Sequence, residues 1–144
     1  MTKGETVEAW SACDIGKAIN PMSVEGQIQG GFVQGLGFAL FEEVVWDGAR
    51  IANPSLMDYK IATTLDVPAQ IHPLIIEDPE PDGPFGAKGI GEIPICAVAP
   101  AIANGIAAAT GVRLGSKRAA RNRQFLKRAA PGVPSGGIRG RFRD

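Results

Sequence analysis

Three features of the sequence predict an α+β fold with two main helices, a few strands and a basic tail. One helical apolar repeat starts at Asn20-Pro21 and runs to about Glu43, and a second spans Pro100 to Gly111. The segments between them are short, apolar and broken by proline or glycine, as strands and loops are. With 144 residues, 44% of them hydrophobic, the chain can bury one modest core. Its 19 glycines and 11 prolines call for plentiful loops.

Residues 5–14 mix β-formers with polar residues and read as a strand ending in Cys13-Asp14. Asn20 caps the first helix and Pro21 fits its first turn. Ile28, Phe32, Leu36 and Leu40 then recur every four residues, flanked by Val33 and Ala39. The same helix carries Gly26, Gly30, Gly31, Gly35 and Gly37, each costing about 1 kcal/mol against alanine. Two explanations stand open: close approach of another backbone or a flat ligand, or a poor helix rescued by packing. Asp47-Gly48 marks a turn after the apolar Val44 to Trp46, and 53–61 is irregular. Ile71, Leu74, Ile75 and Ile76 form a strand that Pro73 places at an edge or a bulge. Residues 79–91 are a loop, followed by the second helix, with Ile102, Ile106 and Ala109 as its apolar face. Val98 extends that face, and Gly111 ends the helix.

The net charge of zero hides a division. Residues 1–112 carry five basic and 14 acidic side chains, a net charge of −9. Residues 113–144 carry ten basic side chains against Asp144 alone, a net charge of +9. Gly, Pro, Ser and Arg dominate from Pro131 onward, so 114–144 is expected to be a disordered tail. No apolar run reaches the roughly 20 residues of a membrane span, and no signal-peptide pattern opens the chain. A soluble, cytoplasmic protein is expected.

Chemistry is constrained by what the sequence lacks. His72 is the single histidine, which excludes a multi-histidine metal centre and a Ser-His triad within the chain. Cys13 and Cys96 form no CxxC pair and read as buried free thiols. The acidic groups Glu42-Glu43 and Asp78-Glu80-Asp82 read as solvated faces. Gly83-Pro84-Phe85-Gly86-Ala87-Lys88-Gly89-Ile90-Gly91-Glu92 is the segment with most chemical promise. Its four glycines permit unusual dihedral angles and expose N–H groups that can meet an anionic or flat cofactor. It matches neither the P-loop nor the dinucleotide fingerprint. Glu92 closes the segment ahead of a helix-like stretch, where an ionised carboxylate is favoured. Such a group is either an ordinary first-turn glutamate or a general base.

Read together, the segments resemble a known family. Asp14-Ile15-Gly16-Lys17-Ala18-Ile19-Asn20-Pro21, Val24-Glu25-Gly26-Gln27-Ile28-Gln29-Gly30-Gly31 and Gln34-Gly35-Leu36-Gly37 resemble the molybdenum hydroxylases of xanthine dehydrogenase and aldehyde oxidase type. Gly86-Ala87-Lys88-Gly89-Ile90-Gly91-Glu92 and Ala99-Pro100-Ala101-Ile102-Ala103-Asn104 continue the likeness in the same order. The resemblance runs from about residue 12 to Arg113. It implies that 1–113 is the C-terminal portion of the large subunit's molybdopterin-binding domain, and that the fold is a partial cofactor-binding domain.

The resemblance further implies molybdenum–molybdopterin as cofactor, the metal being held by the pterin dithiolene and by no side chain. Glu92 matches the general base that activates the oxygen destined for an electron-poor carbon, and water supplies that oxygen. Gln27 matches a glutamine that helps hold the pterin, and Lys88 and Gly89 line the cofactor. Iron–sulfur clusters, with FAD as a further candidate, are expected on partner subunits or domains, as is the remainder of the large subunit. The substrate would be a small aldehyde, purine or N-heterocycle. Earlier cofactor-binding segments of the family and an iron–sulfur cysteine set are missing here, so activity by this chain alone is not expected. After Arg113 the sequence departs from the family. The tail reads as unrelated sequence, with a nucleic-acid arm the lesser reading. A non-catalytic truncated remnant is the rival to a working split subunit.

Overall fold

The computed structural model describes residues 8–113, so the expected disordered tail over 114–144 lies outside the described residues. The elements are β1 (Glu8–Asp14), α1 (Pro21–Leu40), β2 (Trp46–Asp47), β3 (Arg50–Ile51), β4 (Gln70–Ile76), α2 (Ile93–Cys96) and α3 (Val98–Thr110), with a 3-10 turn at Pro84–Gly86. This is the α+β architecture expected, with two main helices. The short β2 and β3 pair antiparallel around the Asp47-Gly48 turn.

β1 and β4 are far apart in sequence yet pair in parallel, Glu8 opposite Gln70 and Asp14 opposite Ile76. Pro73 fits without a bulge. The Ile15 N–H donates to the Ile76 carbonyl at 3.0 Å, which turns the backbone groups of Ile76 toward β1. Alternation then turns those of Leu74 and His72 the same way, and those of Ile71, Pro73 and Ile75 to the outer edge. Proline's missing N–H therefore costs the ladder nothing, and of the two expected placements the edge is correct.

α1 starts as the sequence predicts, with the Asn20 side chain accepting from the Ser23 N–H at 3.1 Å. It stops at Leu40, three residues short of the expected end. The N–H groups of Phe41 and Glu42 both close on the Gly37 carbonyl, and Phe41 leaves helical geometry. Val24 and Ile28 on α1 join Cys13 and Ile15 in the core, with Ala18, Ile75 and Ile90 packed against them. Ile28 is 0% exposed. Burying such a side chain contributes about 1.5–3 kcal/mol.

The glycines of α1 divide by face. A methyl group at Gly31 would lie 2.7 Å from Pro94 Cβ, and one at Gly35 2.6 Å from Val98 Cβ. Gly26 and Gly30 face open space. Close approach is thus the explanation at Gly31 and Gly35, and the approaching body is the α2–α3 segment.

That segment departs from expectation in three ways. A four-residue helix, α2, precedes the second long helix, and α3 begins at Val98 with Pro100 in its third position. The first four amides of a helix have no acceptor within it, so Pro100 breaks no bond. Val98, Gly105 and Ile106 are buried, whereas Ala109, expected on the same apolar face, is exposed. Gly111 ends it in the left-handed region as expected, with φ +74°. Taken together, Ile93–Thr110 is apolar enough to cross a membrane, with mean hydropathy 1.6 over 18 residues. The break at Ala97 leaves α3 with 13 residues. That rises about 20 Å, short of the roughly 30 Å a bilayer core needs.

Candidate functional site

The loop from Ile76 to Glu92 is anchored along its first two thirds and open along its last third. Asp14 closes β1, and its Oδ1 accepts the N–H of Gly16 at 3.0 Å while its Oδ2 meets the Lys88 ammonium at 2.6 Å. The Lys88 N–H donates to the Ile15 carbonyl at 2.9 Å, and Lys17 N–H to the Gly86 carbonyl at 2.8 Å. Asp78 stands 3.7 Å from the Lys88 ammonium. At the start of the loop, Glu77 accepts the Ala18 N–H at 2.7 Å and pairs with Lys17 at 3.0 Å. The connection from β1 into α1 is thereby fastened to the loop that follows β4.

Charge follows this geometry. The Lys88 hydrogen bond, then the Gly16 N–H, hold the Asp14 carboxyl below its ordinary range. The same contact with Asp14 raises the Lys88 ammonium above its ordinary value. The Ala18 N–H, then Lys17, lower Glu77. Burial pushes the Cys13 thiol up. Cys96 is exposed, which corrects the expectation of two buried thiols. Its place on the solvent side of the short α2 explains this.

Glycine's conformational freedom is required at one of the four loop positions. Gly86 has φ +79°, while the neighbouring left-handed residue is Phe85, at φ +54° and 89% exposed. A bulky residue held there stores strain. Gly89 and Gly91 take no positive φ, and a methyl group at either would meet nothing within 4 Å. Among the described residues, the N–H groups of Gly89, Ile90 and Gly91 donate to no backbone carbonyl.

Of the predicted site residues, Lys88, Gly89 and Glu92 border or lie in this open stretch, and Gln27 lies on α1. Gly89 and Glu92 are exposed, Lys88 is half-buried, and Gln27 is exposed on α1. Ile90 packs against the core of Cys13, Ile15, Val24 and Ile28, and Pro94 meets Gly31, one turn after Gln27 on α1. Gln27 itself is exposed one turn before Gly31 and is joined to Glu92 by no hydrogen bond among the described residues. The helix that follows Glu92 is only four residues long, so its dipole gives the carboxylate little help. Lys88 has its ammonium occupied by Asp14, so what it can offer a ligand is backbone. The sequence reading missed Asp14 and Glu77. Asp14 ends β1 and Glu77 directly follows β4, positions the sequence shows without showing the distant groups they bind.

These residues fit a flat, hydrogen-bonding cofactor. Backbone at Gly89 and Gly91 is open to close approach, and the Gln27 amide can both donate and accept. A family profile described as molybdopterin cofactor-binding domain matches residues 2–68. The chain is 44% identical over 103 residues to a putative xanthine dehydrogenase molybdenum-binding subunit of Escherichia coli, covering 70% of this chain and 14% of that protein. It is 37% identical over 101 residues to an aldehyde oxidoreductase of Megalodesulfovibrio gigas, covering 70% of this chain and 11% of that one. Quinoline 2-oxidoreductase of Pseudomonas putida superposes with a TM-score of 0.73 at 36% identity, over 87% of this chain and 16% of that structure. The chain thus spans a small fraction of the length of the relatives it matches. It belongs to the molybdenum hydroxylase family of xanthine dehydrogenase and aldehyde oxidase type, as a part of the large, molybdopterin-binding subunit.

Proposed function

We propose that residues 1–113 supply the general base and part of the molybdopterin site of a molybdenum hydroxylase. They would act with the remainder of a large subunit and an iron–sulfur subunit, FAD being a further candidate carrier. The observation behind the proposal is the anchored-then-open loop. Lys88 is held by Asp14 and by the Ile15 carbonyl, while Gly89 to Glu92 is left accessible.

When bound, the molybdenum cofactor supplies the two-electron chemistry by which water-derived oxygen enters an aldehyde, purine or N-heterocycle. The chain's own part is narrower. Gln27 offers its side-chain amide to the pterin, and Lys88 and Gly89 offer backbone. The Glu92 carboxylate takes up a proton during oxygen transfer, and its backbone is held by the Ile95 N–H on the Glu92 carbonyl at 3.1 Å. Fixing the base matters because misplacement of about 1 Å can cost roughly 100-fold in rate. Glu92 is exposed in this chain, so a water-excluding wall must come from the partner. The free state of both cysteines supports a reducing, cytoplasmic setting.

The test is a tagged pull-down of the full chain from its native organism, reading partner masses and molybdenum per chain together. The proposal expects a larger pterin-binding companion and stoichiometric molybdenum. A lone chain without metal overturns it in favour of a non-catalytic remnant. The nucleic-acid reading rests on residues outside those described.

A further inference from the structure

β1 and β4 run parallel and end together, Asp14 opposite Ile76. In open α/β sheets ligands sit beyond the carboxyl ends of the strands. From that end both the loop to Glu92 and the passage into α1 depart. Two carboxylates reach across it. Asp14, at the end of β1, meets the ammonium of Lys88 in the loop after β4 at 2.6 Å. Glu77, directly after β4, accepts the Ala18 N–H in the passage after β1 at 2.7 Å. Each strand end thus holds the segment that leaves the other.

The two contacts differ in what they can influence. Glu77 fixes backbone ahead of α1, whereas Asp14 fixes the residue four places before Glu92. Lys88 is held at both its ends, by its N–H on the Ile15 carbonyl at 2.9 Å and by its ammonium on Asp14. Its stem lies along Gly16, where a methyl group would stand 2.9 Å from Lys88 N and 3.1 Å from its Cγ. Asp14 is itself oriented, because its Oδ1 accepts the Gly16 N–H at 3.0 Å and the Asp78 N–H at 3.4 Å, leaving Oδ2 to Lys88. Beyond Lys88, Ile90 packs on the core between Gly89 and Gly91, which have open space around them. The Glu92 carboxylate accepts no hydrogen bond among the described residues. Its carbonyl alone is engaged, by the Ile95 N–H at 3.1 Å and the Cys96 thiol at 3.9 Å. With no partner to orient the side chain, its placement depends on the backbone anchors to either side.

We infer that Asp14 is a positioning residue, which acts through Lys88 to fix the backbone that presents the Glu92 carboxylate. This rests on reading Glu92 as the general base. Misplacement of such a group by about 1 Å costs roughly 100-fold in rate, and two unrestrained glycines do not oppose it. Ile90 and the contact of Pro94 with Gly31 still hold the far side, so losing the Asp14 contact loosens this stretch without unfolding the chain.

The test has two parts. In the full chain, hydrogen exchange is read at single amides. Asp14→Asn keeps an oxygen for the Gly16 N–H and loses the charge that holds Lys88. It is expected to speed exchange of the Lys88 N–H about three- to tenfold, with Ile28 in the core as in wild type. Glu77→Gln is expected to leave Lys88 exchange as in wild type. Unchanged Lys88 exchange in Asp14→Asn overturns the inference.

In the molybdenum-loaded complex, kcat, KM and molybdenum per chain are read with whichever of benzaldehyde, xanthine and quinoline wild type turns over. Asp14→Asn is expected to lower kcat about 10- to 100-fold, with KM and molybdenum unchanged. Asp14→Glu, which restores the charge, is expected to recover part of the loss. Glu77→Gln is expected to keep kcat. A residue that acts through another adds nothing once the other is gone, so in the Glu92→Gln background Asp14→Asn should cost less than about twofold. An equal loss in both backgrounds overturns the inference and leaves Glu92 as the base, as does a full rate in Asp14→Asn. A full rate in Glu92→Gln, or a chain without molybdenum, overturns the proposed function and the inference with it.

Discussion

Asp14 and Lys88 meet at 2.6 Å although 74 residues separate them. Asp14 closes β1 and Lys88 lies in the loop after β4, so the contact sets where the open stretch after Lys88 begins. Replacing Lys88 with Met keeps much of the side chain's length but removes the charge. Hydrogen exchange at Gly89 to Gly91 should then accelerate in the lone chain, while exchange in α3 stays as in wild type. Unchanged exchange at the loop would show that the backbone bond from Lys88 to Ile15 suffices.

The same pair gives a pH profile. Asp14 is held below its ordinary value of 3.8 and Glu77 below 4.5, so their contributions are present above those values and lost as pH falls through the lowered ones. Lys88 is raised above 10.5, so its contribution is present below that value and lost only as pH rises beyond it. Melting temperature should therefore change little on account of these groups from about pH 5 to about pH 9 and fall on acidification below that. In Asp14→Asn the acid-side decline should be shallower. An identical acid limb in that variant would remove Asp14 from the account.

The glycines of α1 predict opposite signs for one substitution. Gly35→Ala sets a methyl group 2.6 Å from Val98 Cβ, and Gly31→Ala sets one 2.7 Å from Pro94 Cβ. Each should destabilise by about 1–3 kcal/mol through overpacking. Gly26→Ala and Gly30→Ala meet open space and should stabilise the lone chain by up to about 1 kcal/mol. Denaturant midpoints decide it, and a stabilising Gly35→Ala would mean that α3 does not sit against α1.

Much of this was legible in the sequence, for reasons particular residues show. Asn20, Pro21 and Gly111 act through local geometry, so the start of α1 and the end of α3 followed from them. The end of α1 did not, because double acceptance by the Gly37 carbonyl is invisible in an apolar repeat. The parallel partnership of β1 and β4 was also hidden, since pairing across the whole of α1 leaves no local mark. At the site, ordered motifs identified Gln27, Lys88, Gly89 and Glu92 as candidates. Asp14 and Glu77 escaped because a clamp is defined by what it meets, and Lys88 and Ala18 lie far along the chain.

The two thiols should separate cleanly. Cys96 is exposed, while Cys13 is buried and its thiol raised, which lowers the thiolate fraction that reacts. An aromatic disulfide reagent at neutral pH should titrate one thiol per chain quickly and the second only on unfolding. Two fast thiols would place Cys13 outside the core it shares with Ile28.

Glu92→Gln is the substitution that bears most directly on chemistry. It preserves size and hydrogen-bonding reach but cannot take up a proton. Glu92 has no side-chain partner among the caps of α2, and the residue is exposed, so the variant should fold as wild type does. General-base removal typically costs roughly 10²–10⁴-fold, and a loss of that size is expected in turnover of the assembled enzyme. Molybdenum per complex should be unchanged, because Gln27, Lys88 and Gly89 carry the cofactor contacts in this reading. Glu92→Asp, which keeps the charge but shortens the reach, should recover only part of the loss, since position matters as well as basicity. Near-normal turnover in Glu92→Gln would leave the residue as an ordinary glutamate before a short helix, and the base would have to come from the partner polypeptide.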